Sequence, residues 1–78
     1  MNQTERLYLR DFGELIREMA LDAKKQATSA DAADRSYELG RLMAFHEVVA
    51  LMLSQAKSFD LSSSAIGLDG IDPDRDLL

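Results

Sequence analysis

The chain has no cysteine, which excludes a disulfide, a thiolate metal site and a cysteine nucleophile. It has no tryptophan, a single proline at Pro73 and only four glycines, of which just Gly13 and Gly40 precede Phe59. The first 59 residues are therefore almost free of helix breakers. No apolar run approaches the ~18 residues of a membrane-spanning helix. Met1–Arg6 shows no apolar signal region. The expectation is a cytoplasmic protein with no membrane role. A Gly-rich phosphate loop and a Ser/His/Asp constellation are both missing. The single histidine, His46, stands without companion ligands, so no metal and no cofactor are expected.

What is present is 78 residues, 46% hydrophobic and 29% charged, with a net charge of −5. That length makes one domain, and such a domain buries only ~60% of the surface its unfolded chain exposes. Pocket walls are hard to spare on so small a core, which points to a non-catalytic protein. The charge is uneven. Residues 60–78 carry five Asp and one Arg, a net of −4, while residues 1–59 are nearly neutral. An acidic tail repels nucleic-acid phosphate and suits a basic surface, on a partner or on the same chain.

The body, residues 1–59, reads as two helices, about 4–27 and about 31–58. Asn2 with Glu5 has capping-box spacing at the first start. Thr28 with Asp31 has it at the second. The short break between them favours an antiparallel hairpin. On helix one, Tyr8, Phe12, Leu15, Ile16, Met19 and Ala23 form an apolar stripe about 100° wide. Arg6, Arg10, Arg17 and Lys24 lie opposite, beside an acidic ribbon of Asp11, Glu14, Glu18 and Asp22.

Helix two is apolar on two sides. Ten of the twelve residues from Leu42 to Leu53 are apolar. Tyr37, Gly40, Ala44, Val48 and Leu51 form one stripe; Leu42, Phe45, Val49, Leu53 and Ala56 form another roughly 140° away. One helix cannot cover both, and soluble monomers rarely leave such a patch in water. Something must cover the second stripe: a second copy, a partner protein or the tail. A second copy is the favoured cover, a homodimer in which two hairpins make a four-helix bundle. Gly40 and Ala44 are read as small residues for close helix packing. On this reading Gly40→Leu costs more stability than Gly13→Leu. Glu47 is expected to pair with a base such as Arg41. Residues 60–78 are expected to be an irregular, partly disordered tail, dispensable for folding. Its Asp69–Asp74 run has the wrong spacing for a calcium loop.

The segment Gly40-Arg41-Leu42-Met43-Ala44-Phe45-His46-Glu47-Val48-Val49, followed by Gln55-Ala56 and Phe59, resembles small helical proteins of bacteriophages and prophages. They share a G-R-x-x-A-aromatic-x-E-V pattern. The resemblance covers about 25 residues, all in helix two. It implies a non-catalytic binder that modulates or inhibits a host protein, for example in defence or transcription. In size and architecture alone the chain is also similar to the Rop-type plasmid copy-number hairpins. That implies an RNA-binding adaptor using Arg6, Arg10, Arg17 and Lys24; a virion structural or assembly role is a third class. For a protein partner, the outer face of helix one supplies Arg10, Glu14, Arg17, Leu21 and Lys24 as binding candidates.

Overall fold

The computed structural model describes residues 2–78. Among them the fold is all-α, with three α-helices, one 3-10 turn and no strand. Helix α1 spans Gln3–Ser29, and the Asn2 side chain accepts from the Glu5 backbone N–H at 2.9 Å, which satisfies one orphan donor of its first turn. Helix α2 spans Arg35–Ser58. It starts later than the Thr28 spacing predicts. The Thr28 hydroxyl instead donates to the Lys24 carbonyl inside α1. Asp31 holds the connecting turn by accepting from the Ala33 and Asp34 N–H groups, at 3.1 Å each. The helices run antiparallel: Asp22 meets Arg41 near one end, and Leu9 lines a small apolar pocket with Ala56 near the other.

The chain after Phe59 corrects the sequence reading most. Residues 60–78 are ordered, with a 3-10 turn at Ser64–Ile66 and helix α3 at Pro73–Leu77. Ile66, Leu68, Ile71 and Leu77 are buried, and Leu68 and Leu77 are fully so. They settle on one side of the helix pair, the 3-10 turn against α1 and α3 against both long helices. Each fully buried leucine contributes roughly 1.5–3 kcal/mol relative to exposure. That explains why a chain with so few large core residues keeps its tail attached.

This docking settles which stripe of α2 is covered. Leu42, Val49 and Ala56 are buried and Phe45 and Leu53 half-buried, all within the single chain. The stripe assigned to a second copy is thus filled by α1 and the tail. Helix α1 is rotated from the predicted stripe, of which it keeps Ile16 and Ala23 inside. Its buried residues are Gly13, Ala20, Ala23 and Ala27, flanked by half-buried Leu9 and Ile16. Of the predicted core stripe, Tyr8, Phe12, Leu15 and Met19 remain exposed.

The glycines exchange roles for the same reason. A Cβ on Gly40 would meet nothing within 4 Å. One on Gly13 would overlap the Ile66 carbonyl oxygen and come within 2.7 Å of its carbon. Gly67, at φ +77°, answers from the other side, where a Cβ would lie 2.6 Å from the Glu14 nitrogen. Close packing in this chain is therefore made at Gly13 and Gly67, not at Gly40 and Ala44. No helix among the described residues is long and apolar enough to cross a membrane.

Candidate functional site

The tail divides the surface of the helix pair into two sides of opposite character. On one side lies the basic stripe of α1, and the acidic tail is laid over it. The Lys24 ammonium donates to the main-chain oxygen of Leu78 at 2.6 Å. Arg17 is half-buried and lines a shallow pocket with Gly67 and Asp69. Its positive charge also helps to lower the Asp76 pKa. Arg10 pairs with Glu14 along the helix at 3.3 Å. From α2, His46 reaches α3, its Nε2 lying 2.8 Å from the Asp74 carboxylate.

Helix α3 is held by its own sequence. Asp72 accepts from the Asp74 and Arg75 N–H groups, Pro73 takes the first helical position, and Asp76 accepts from the Asp72 N–H at 2.9 Å. The Arg75 guanidinium donates to both oxygens of Asp76. That hydrogen bond, and then the Asp72 N–H, lowers the Asp76 carboxyl to about 2. Of the carboxylates that superficially suggest a calcium loop, Asp72 caps α3 and Asp74 meets His46. Among the described residues no group of three or more acidic or histidine side chains is gathered to hold a metal.

The other side is open. At 100° per residue, the positions of α1 and α2 that face away from the tail are adjacent in the antiparallel pair. Helix α1 places Tyr8, Phe12, Leu15 and Met19 there, with the Tyr8 and Phe12 rings stacked at 6.0 Å. Helix α2 places Tyr37, Ala44, Val48 and Leu51 there, with Gly40 as a bare notch among them. The exposure is large: 70% for Tyr8, 72% for Tyr37 and 62% for Leu51.

Acids edge this face. Asp11, Glu18 and Asp22 fall within about 40° of one another along the outer side of α1, and Glu47 lies beside the α2 stripe. The base that reaches it from between the helices, Arg41, bridges to Asp22 at 3.6 Å and stacks over the Phe45 ring at 5.4 Å. It does not take Glu47 as the sequence suggests. Among the described residues, Asp11, Glu18 and Glu47 form no ion pair.

The sequence-derived binding residues are thus dispersed. Arg10 and Glu14 are exposed and paired with each other, Leu21 is exposed, and Arg17 and Lys24 face the docked tail. What the sequence reading missed was already visible as the Tyr8–Met19 stripe, which it placed in the core. No protein-family model, curated protein or solved structure matches the chain.

Proposed function

We propose that this chain is a non-catalytic protein-binding module that acts in a bacterial host cell by occupying a surface of another protein. One observation carries the reading: the open face of α1 and α2 exposes eight apolar positions and the Gly40 notch, on a chain that has already covered its other apolar stripe. Monomeric proteins seldom present contiguous apolar surface of this kind without an interaction to serve. The phage-type segment supports a host protein as the target. An RNA-binding adaptor is disfavoured because the stripe that would meet phosphate carries the chain's own acidic tail.

A second reading is a homodimer that joins two such faces into a helical bundle. It is favoured by Gly40 and Ala44, small residues one turn apart that would let a second backbone approach. The test of the main reading is affinity capture from bacterial lysate with the wild-type chain and with Val48→Glu, each with and without nuclease. A host protein held by the wild type, lost with Val48→Glu and indifferent to nuclease is the expected result. Capture abolished by nuclease would instead make the protein a nucleic-acid adaptor.

A further inference from the structure

We infer that the occupant of the open face is a cationic amphipathic helix of another protein, laid lengthwise in the groove between α1 and α2. The inference rests on the protein-binding reading above and adds the chemistry of the partner. Shape comes first. The spacings Tyr8-Phe12-Leu15-Met19 and Tyr37-Ala44-Val48-Leu51 follow the three- and four-residue steps by which one helix seats another. At 1.5 Å per residue the two rows run about 17 Å and about 21 Å; with Asp22 beside Arg41 and Leu9 beside Ala56 they are staggered, and end to end they span roughly 28 Å, about five turns of a docked helix.

Size comes next. Two rows about 17 Å and about 21 Å long, each some 9 Å wide, give the face a footprint of about 350 Å². A standard stable interface takes about 800 Å² from each partner. The patch therefore falls well short of what a stable dimer of this chain would need.

Charge then separates the two occupants. Of the bases on the helix pair, Lys24, Arg10 and Arg41 are taken by Leu78, Glu14 and Asp22, and only Lys25 falls beside the acidic edge of the open face, which stays acidic on balance. The edges of the open face keep Asp11, Glu18 and Glu47 without ion pairs among the described residues. A second copy would bring the same acids to the same seam. A helix with lysine or arginine flanking its apolar row would meet them with opposite charge, which favours that partner and repels acidic ones.

The probes are three synthetic peptides: a helix with apolar residues at i, i+4, i+7 and i+11 and lysines elsewhere, the same helix with glutamates for lysines, and a scrambled lysine peptide. Each is titrated calorimetrically into the full chain at low salt and at 0.5 M salt. The lysine helix should bind at least about tenfold more tightly than either control, and weaken with salt. Val48→Glu should abolish that binding without moving the melting temperature. Asp11→Lys with Glu18→Lys should reverse the preference toward the glutamate helix. Equal binding of the lysine and glutamate helices would overturn the cationic partner and leave the docking face standing. No binding of either would remove both. Binding of the scrambled peptide as tight as that of the lysine helix would reduce the effect to bulk attraction. A dimer in sedimentation equilibrium that Val48→Glu dissociates would assign the face to a second copy and overturn the inference.

Discussion

Replacing Gly13 by alanine tests the packing of the tail with a single methyl group. In a solvent-exposed helix interior this change stabilises by about 1 kcal/mol, because alanine restricts the unfolded chain and favours the helix. Here the new Cβ would overlap the Ile66 carbonyl oxygen and sit 2.7 Å from the Ile66 carbon. Both are backbone atoms of a turn that cannot rotate aside, so the 3-10 turn must move outward. Simple overpacking of a filled interior costs about 1–3 kcal/mol. If the shift also unseats Ile66 and Leu68, buried at 4% and 0% exposure, each loses part of the roughly 1.5–3 kcal/mol its burial supplies. Set against the helix gain, the net loss is about 2–5 kcal/mol. For a domain of this size that lowers the melting temperature by at least about 10 °C. The assay is thermal denaturation followed by circular dichroism, with Gly40→Ala as the internal control. A Cβ on Gly40 meets nothing, so that variant should melt a few degrees above wild type. A Gly13→Ala protein as stable as wild type, or less stable Gly40→Ala, would refute the docking of Ile66–Gly67 on α1.

Three other outcomes follow from the same geometry. Truncation after Phe59 should abolish cooperative melting, because it removes Ile66, Leu68, Ile71 and Leu77 from the core; a retained sharp transition by calorimetry would contradict this. Val49→Glu should unfold the chain and Val48→Glu should not, since Val49 is fully buried and its neighbour is 43% exposed; urea titration of the pair separates them. Asp76 has a folded pKa of about 2, below its unfolded value near 4, so its contribution is present above the unfolded value and is lost as pH falls toward 2. Acid titration should therefore loosen α3, and Asp76→Asn should flatten that part of the stability–pH curve.

The sequence showed the helical class, the Asn2 cap and the two stripes of α2, because large apolar residues at helical spacing are a strong periodic signal. It misplaced the inner side of α1. Beyond Ile16 and Ala23, which the predicted stripe included, that side is built from Gly13, Ala20 and Ala27, whose small side chains weigh little in any hydrophobic pattern but allow close approach. The large residues Tyr8, Phe12, Leu15 and Met19 dominate the pattern and are the ones left outside. The tail was misjudged from composition. Asp72 before Pro73 reads as a helix breaker, yet an extended residue followed by proline is what a helix start uses. The acidic tail and the basic stripe were both legible; that the tail lies beside the stripe, with Lys24 on the Leu78 main chain, required knowing that the chain turns back over α1. The open face was overlooked because its α1 half was assigned to the interior.

The return of residues 66–77 to α1 also fixes an order of events during synthesis. The helix pair, residues 3–58, is made before any residue that covers it. Until Ile66, Leu68, Ile71 and Leu77 follow, the pair has no means within its own chain of burying the side they close, so whatever it forms first must stay open enough to receive them.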